Sequence, residues 1–484
     1  MQFEPEALSA NRSAFGGGAT TSILHPIVLI AMIAAIILIL TQPKKKIVAP
    51  FLLLTFLGSF GEQIYIFGVH WFVLRIIIVA GLIRVFSTRE KGNRSLMAGG
   101  WTAVDTAYTG WVICHSCAAI LQFGGASGVI IYQAGFIWEA LGGYILLRCL
   151  IRDEDDIAFT LKVFAVVAVC LGVAMLNEKL RSQNIFGYLG AEKVLPEMRD
   201  GAIRATGDFA HPILAGVFGA TLVAPFWWLW QSGRAKVAGI LGFAGSTLMV
   251  VTSASSTPLL AYVAAFLGLL LWPMRKNMRA LRWGLAILLI TLHLVMKAPV
   301  WFLIAHVDLV AGNSGYHRAM LIDQCIRHFR QWCLIGTDPG KWGWDMWDMS
   351  NQFVAEADTG GLATLVFFVL VIKRGYSRIG TARKRVEGQL KKEMFMWLLG
   401  VALLTHVVSF FGVQYFDHTK IAWCAFLAMI IAATASILAP RTEKTKVRVE
   451  EHCLILPDGA LAHSRLQRHS QAVCFGGSDA DAAS

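Results

Sequence analysis

The feature that most constrains this chain is a series of uninterrupted apolar runs, most of them near 20 residues long. A helix of about 20 residues crosses the hydrocarbon core of a bilayer, whereas the strands of a membrane barrel would alternate apolar and polar residues. The runs therefore predict an all-α, polytopic transmembrane bundle of about 12–13 helices. They cover 22–41, 47–60, 64–86, 102–122, 128–147, 157–177, 208–230, 237–252, 257–273, 282–300, 360–374, 393–412 and 419–438, of which 47–60 and 360–374 are short.

The low charge content of the chain supports this prediction. Charged residues make up 15% of the 484 residues, whereas soluble proteins carry about 25%. The net charge of +12 does not indicate a nucleic-acid partner, because no soluble basic face is present and membrane proteins collect Lys and Arg in cytoplasmic loops. We expect membrane lipids, and no nucleic acid, among its partners.

The distribution of Lys and Arg predicts the orientation. With Lys44, Lys45 and Lys46 in the cytoplasm, the inner loops and C-terminal tail hold 29 Lys and Arg, and the outer segments hold 11. This bias predicts an N-terminus outside and a C-terminus in the cytoplasm. The predicted parts are an extracytoplasmic tail (1–21), transmembrane helices (22–300) with an outer segment (178–206), a large outer loop (301–359), the last transmembrane helices (360–438) and a flexible cytoplasmic tail (439–484).

Two outer segments, 178–206 and 297–358, each carry five Lys or Arg on the side that should avoid them. Long translocated loops escape the rule, or some of these cations bind an anion. Arg204 precedes a helix predicted near Asp208, with His211 in its first turn. The free amides and the dipole of a helix N-terminus favour anions, and a guanidinium beside them suits phosphate.

The large loop is predicted to begin with an amphipathic helix from Tyr316 to Leu334, capped by Asn313 or Ser314 and followed by Gly336. His317 and Arg318 occupy its first turn. The continuation 341–348 is rich in Trp, which suits either the headgroup level of a bilayer or stacking on sugar rings. Four ionisable residues fall inside predicted spans, where they either pair or lie near helix ends, or else form a polar path; they are Arg75, Asp105, Glu139 and Lys162.

In their order along the chain, several short motifs resemble the O-antigen ligase and O-antigen polymerase superfamily. The resemblance covers about residues 20–438 and implies a dozen or so helices with a large periplasmic loop. The matching positions are Arg204 with Gly207, Phe209, His211 and Pro212; the small polar stretch 252–258; Arg318; Leu334 to Gly340; and Asn351 to Phe353 with Glu356 and Gly360 to Leu362.

One departure concerns the acceptor. Where the ligases have a His directly before Asn351, this chain has Ser350. In the ligases that His is thought to help activate the acceptor hydroxyl. Asp348 or His317 is a candidate to replace it, and the departure favours a polymerase-like or divergent member over a lipid A core ligase.

The resemblance implies transfer or polymerisation of a glycan from a polyprenyl diphosphate carrier to a sugar hydroxyl of an acceptor glycan or lipid. The reaction would occur at the periplasmic face of a bacterial inner membrane. Substrate-binding candidates are Arg204, His211, Arg318 and Asn351, and catalytic candidates are Asp348 and His317. No acidic cluster suggests a metal, so we predict neither metal nor cofactor. One alternative is a secondary transporter or lipid-linked flippase, which would require inverted repeats, although neither half of the chain mirrors the other. A non-enzymatic scaffold is another alternative.

Overall fold

A computed structural model describes residues 22–59, 61–66, 69–87, 96–190, 194–199, 201–306, 314–343, 346 and 348–439. The predicted tails, except residue 439, lie outside these residues, as do Asn313, Trp344, Asp345 and Trp347. Contacts divide the chain into residues 1–437 and 438–484. Apart from the last residue of the final helix, every element below belongs to the first unit.

The protein is 77% helical, which makes it an all-α fold, with two small antiparallel hairpins. The hairpins are β1 (Gln63–Ile66) with β2 (Val69–Phe72), and β3 (Glu197–Arg199) with β4 (Ala202–Arg204). The helices are α1 (Pro26–Thr41), α2 (Val48–Leu57), α3 (Val73–Ser87), α4 (Ala103–Gln122), α5 (Ser127–Ile137), α6 (Gly143–Leu150), α7 (Glu154–Arg181), α8 (Pro212–Gln231), α9 (Lys236–Thr252), α10 (Ser256–Leu270), α11 (Met278–Val295), α12 (Ser314–Arg327), α13 (Phe329–Trp332), α14 (Gln352–Arg385), α15 (Leu390–Phe410) and α16 (His418–Leu438).

Each of the thirteen predicted apolar runs contains a helix, which confirms the all-α bundle. Among the described residues, three shorter apolar helices (α1, α9 and α10) accompany seven helical stretches that are long and apolar enough to cross a bilayer. At 1.5 Å per residue the shorter three fall below the thickness of the hydrocarbon core. The seven stretches are Ser127–Leu150, Glu154–Arg181, Pro212–Gln231, Trp272–Val295, Gln352–Arg385, Leu390–Phe410 and His418–Leu438.

The predicted span 64–86 is wrong in its first part. Residues there form the β1–β2 hairpin, in which Gln63 pairs with Phe72 and Tyr65 with His70, and helix α3 begins only at Val73. Aromatic and branched residues favour the pleated backbone, and cross-strand pairs such as Tyr65 and His70 stabilise it. An apolar run alone does not distinguish the two structures.

The large loop differs from its prediction in one detail. The helix predicted from Tyr316 to Leu334 is α12 followed by the short α13, because the backbone of His328 leaves the helical region. Helix α12 begins at Ser314, two residues before the predicted start, so its cap position falls on Asn313, outside the described residues. Gly336 follows with a positive φ of 84°. The loop is thus helical, as the sequence predicts.

The predicted span 360–374 lies inside the much longer α14, which bends at Gly361 with φ 72°. A Cβ atom at Gly361 would lie 2.5 Å from the carbonyl oxygen of Leu334, so only glycine admits the loop at this distance. The amide of Thr337 also donates to the carbonyl of Asp358 at 2.7 Å. The bend therefore fixes the large loop to the start of α14.

Helix α8 lies at the centre of the bundle and packs against α7, α9, α10 and α15. Small residues allow α7 and α9 to approach each other closely. A Cβ at Gly172 of α7 would lie 2.8 Å from the carbonyl oxygen of Gly245 in α9. Such contacts are typical of helices packed in membranes. In contrast, α11 has no buried residue.

The ionisable residues predicted inside spans are mostly paired. Arg75 bonds Glu139 at 2.6 Å, and Asp105 bonds the buried Arg148 at 2.8 Å. Lys162 is exposed on α7. A short π-helical turn, Trp138–Gly142, carries Glu139, and such turns are frequent at functional sites. Pairing, the simpler of the two interpretations, is confirmed for Arg75 and Glu139.

Candidate functional site

Arg204 is the last residue of β4 and is only 4% exposed. One terminal nitrogen donates to Glu197 of β3, and the other donates to Ser255 Oγ at 2.9 Å. Its Nε has no hydrogen-bond partner among the described residues. Burial lowers the pKa of Arg204, and the Glu197 carboxylate raises it; arginine nevertheless stays charged in proteins. The Glu197 carboxylate therefore already occupies the position at which Arg204 would bind an anion.

His211 caps helix α8, which begins at Pro212. Its Nδ1 accepts the Ile213 amide at 3.2 Å, and its Nε2 lies 3.8 Å from a Glu197 carboxylate oxygen. Burial lowers the pKa of His211, and the nearby Arg204 acts in the same direction, while Glu197 opposes them. The cap requires an unprotonated Nδ1, and the lowered pKa favours that form. The N-terminus of α8, with its positive dipole end, thus lies beside Arg204.

A buried carboxylate holds the segment between Arg204 and α8. Glu178, near the end of α7, accepts the amides of Thr206 at 3.1 Å and Gly207 at 2.9 Å. The side-chain amide of Asn184 donates to the carbonyl of Gly207 at 2.7 Å. These bonds satisfy backbone groups that would otherwise be buried without partners, and they fix the position of Arg204.

The structure brings His317 to Ser350. His317 lies in the first turn of α12, and its Nδ1 is 3.2 Å from Ser350 Oγ. By the resemblance described above, Ser350 stands where the ligases would carry a His. One of the two candidate bases therefore contacts the residue that departs from the ligase pattern.

Asn351 caps α14. Its Oδ1 accepts the amides of Phe353 at 2.9 Å and Val354 at 3.2 Å. Its Nδ2 is buried and has no hydrogen-bond partner among the described residues. The oxygen of this side chain is occupied by the helix end, so only the amide nitrogen remains for the predicted contact with substrate.

Asp348 and Arg318 complete the predicted set. Asp348 is exposed, and its carboxylate raises the pKa of His211, so the start of segment 348–351 lies within electrostatic range of the α8 N-terminus. Arg318 is buried on α12. From the family resemblance we also expect the guanidinium groups of Arg204 and Arg318 to hold one lipid diphosphate together, and this expectation stays a prediction.

Two adjoining cavities lie near this region. The smaller, of about 300 Å³, is enclosed by α2, the β1–β2 hairpin, α3, α5 and α16. The larger, of about 490 Å³, lies among α4, α5, α14, α15, α16 and residues 337–339. Neither is lined by Arg204 or Arg318. Their shared lining residues are Tyr132, Phe136, Ala140 and Lys420.

The wall of the smaller cavity is bonded to the segment that precedes His211. The amide of Ser59 donates to Asp208 Oδ2 at 3.1 Å, and the amide of Ala210 donates to Asp417 Oδ2 at 3.0 Å. Ser59 and Asp417 both line that cavity. The Arg204 region and the smaller cavity are therefore neighbours.

A buried carboxylate also lines the larger cavity. Glu356 accepts the indole N–H of Trp111 at 2.7 Å and the amide of Gln352 at 2.6 Å. Nδ1 of His115 lies 3.3 Å from the same carboxylate, and Gln352 in turn accepts the Tyr415 amide at 2.5 Å. This network positions the acidic residue that the family resemblance includes.

Sequence reasoning missed several residues of this region. Glu197 is an acidic residue seven positions before Arg204, and that closeness is a signal that could have indicated the pair. Ser255 was noted only as part of a polar stretch. The contact of Ser59 with Asp208 joins residues 149 positions apart, and no sequence pattern indicates it.

No model of a known protein family matches this chain, and a search of curated proteins finds no match either.

Proposed function

We propose that this protein is a membrane glycosyltransferase that moves a glycan from a polyprenyl diphosphate to a sugar hydroxyl at the outer face of a bacterial inner membrane. The observation that carries the proposal is the buried Arg204. It lies at the N-terminus of α8, it has one N–H without a partner among the described residues, and it is held by an exposed carboxylate, Glu197. A phosphate can take the place of that carboxylate.

The proposed reaction needs little covalent chemistry from the protein. The bond between the sugar C1 and the diphosphate oxygen breaks, a bond from C1 to the acceptor oxygen forms, and the acceptor proton passes to a base. Charge accumulates on the departing diphosphate. Arg204 and Arg318 would stabilise it, because fixed cations in a dry site are the largest contribution to many such reactions, and guanidinium matches phosphate geometry.

His317 is the better-supported candidate for the base. Its Nδ1 lies 3.2 Å from Ser350 Oγ, so the imidazole is oriented next to the position where the ligases carry a His. A hydrogen-bonded imidazole of this kind is the commonest general base. Asp348 is exposed, and we assign it an electrostatic effect on His211 in place of the role of base.

The test is an assay of the purified chain in lipid nanodiscs with a synthetic polyprenyl diphosphate glycan. We expect Arg204→Gln and Arg318→Gln each to lower turnover by about 10²–10³-fold, because each removes a cation from the leaving group. Arg327→Gln is the matched control for Arg318→Gln. Arg327 lies on α12 with Arg318, but it is exposed and paired with Asp323.

Product lengths in the same assay separate chain growth from a single transfer. Wild-type turnover in both Arg204→Gln and Arg318→Gln would contradict the proposal and favour a non-enzymatic scaffold. Carrier-linked glycan that crosses the bilayer without forming a new glycosidic bond would instead favour the flippase alternative.

A further inference from the structure

Three of the residues that line the two adjoining cavities carry a buried polar atom with no hydrogen-bond partner among the described residues. These are Ser59 Oγ and Glu62 Oε1 in the smaller cavity and Gln133 Oε1 in the larger. The three residues are 6%, 2% and 3% exposed. Buried polar atoms are nearly always paired, so these three indicate a ligand that forms hydrogen bonds.

The remaining lining is rich in aromatic rings. Tyr132 and Phe136 form the wall shared by the two cavities, and the ammonium of Lys420 lies 5.0 Å from the centre of the Phe136 ring. Trp111 and Trp423 line the larger cavity. Flat aromatic faces bind the C–H faces of sugar rings, while amide, carboxyl and hydroxyl groups bind sugar hydroxyls. The volumes of about 300 and 490 Å³ fall within the usual range for small-molecule sites.

The cavity lining holds more carboxyl groups than Lys and Arg side chains, which disfavours an anionic ligand. The guanidinium of Arg75 is paired with Glu139, so Lys420 is the main remaining cation of the described lining. The other acidic lining residues are Glu62 and Asp417 in the smaller cavity and Asp338, Glu356 and Asp358 in the larger. A phosphate would be repelled, and an isoprenoid tail would leave the buried polar atoms unsatisfied. A neutral or amine-bearing sugar fits both conditions.

We propose that the two cavities form one tract that binds the acceptor glycan, whose hydroxyls bond to Ser59, Glu62 and Gln133. The inference rests on the proposed function, and it separates the two substrates: the diphosphate lies at Arg204 and the uncharged acceptor in the tract. The hydrogen bonds from the cavity wall to the segment before His211 bring the end of the tract close to the donor.

Burial raises the pKa of Glu62. A carboxyl group that holds its proton more readily donates to a sugar oxygen as well as accepting from a hydroxyl. This property suits a sugar ring, which presents both hydrogen-bond acceptors and hydroxyl donors.

The test measures binding of free acceptor to the full chain in nanodiscs, with no carrier lipid added. The probe is a set of oligosaccharides released by mild acid from the surface polysaccharide of the producing cell. We expect Ser59→Ala and Gln133→Leu each to raise Kd by about threefold to tenfold, the effect of one lost hydrogen bond. Thr55→Val is the control, because Thr55 lines the same cavity but its hydroxyl already bonds the Phe51 carbonyl at 2.8 Å.

In the transfer assay the same two variants raise the acceptor KM and leave the donor KM unchanged. Glu62→Gln replaces either variant that fails to fold, as judged by its melting temperature. Unchanged Kd in the variants, no binding to the wild type, or an effect on donor KM alone overturns the acceptor tract. Weakened binding in the variants together with no transfer by the wild type supports the tract and contradicts the proposed function.

Discussion

At the scale of the residue, the cap that His211 provides for α8 depends on its protonation. Its Nδ1 accepts the Ile213 amide and so caps α8, and burial lowers its pKa. The unfolded chain therefore takes up a proton at a higher pH than the folded chain does. Stability from this residue is complete above the ordinary histidine pKa of about 6.5 and declines as the pH falls below it.

We expect the melting temperature of the wild type to fall between pH 7.5 and pH 5, partly through this residue. His211→Asn keeps the cap, because asparagine is a preferred N-cap and does not titrate. The variant should lose that part of the pH dependence, which is worth at most the 0.5–2 kcal/mol typical of a cap.

His306→Asn, at an exposed histidine, is the control and should retain the wild-type dependence. The same slope in His211→Asn as in the wild type would show that His211 does not titrate with unfolding.

The sequence alone predicts that Arg204 and His211 are neighbours, because Arg204 shortly precedes the helix that begins at Pro212. It could not supply the partners of these residues. Glu197 reaches both of them across a hairpin, and Ser255 comes from the start of another helix. Such contacts depend on how the helices pack, and packing is not encoded in any one segment.

At the scale of the element, the β3–β4 hairpin holds a carboxylate against Arg204. Glu197 on its outer strand bonds the guanidinium and lies close to His211, while its own side chain is 42% exposed. Under the proposed function, a diphosphate would have to displace this carboxylate to reach Arg204. The hairpin would then carry an internal competitor for the proposed donor.

Glu197→Gln should therefore lower the donor KM several-fold, because the amide keeps the shape of the side chain and removes its charge. Because the Glu197 side chain is 42% exposed, solvent screens the pair, and its contribution of up to about 1 kcal/mol corresponds to about a fivefold effect. Initial rates at varied donor concentration measure it, and Glu387→Gln, at an exposed acid in another part of the chain, should match the wild type. A large loss of kcat in Glu197→Gln would instead make Glu197 part of the chemistry.

The elements themselves were largely predictable, since apolar runs of this length have few alternatives to helix. The exceptions have physical causes. The hairpin at 63–72 replaces the start of an apolar run because aromatic and branched residues suit either structure. The bend at Gly361 depends on the approach of Leu334, a contact from a distant segment that periodicity does not reveal.

At the scale of the whole molecule, the described helices expose many large apolar side chains. Helix α11 has no buried residue although its outward side chains include Ile287, Ile290 and Leu294. Exposed apolar surface of this extent indicates a lipid or protein environment. Together with the bias of Lys and Arg, it supports a bilayer around the bundle with α7 ending at the outer face.

The orientation can be tested with two single cysteines. Ser182, just after α7, and Ser232, between α8 and α9, are both exposed and are separated by one helix long enough to cross a bilayer, α8. In intact spheroplasts a membrane-impermeant maleimide should label Ser182→Cys above the wild-type background, and it should label Ser232→Cys only after permeabilisation. Because Arg204 lies on the same side of α8 as Ser182, the reverse pattern would place the candidate site in the cytoplasm. Transfer at the outer face would then be impossible, even if both arginines proved essential.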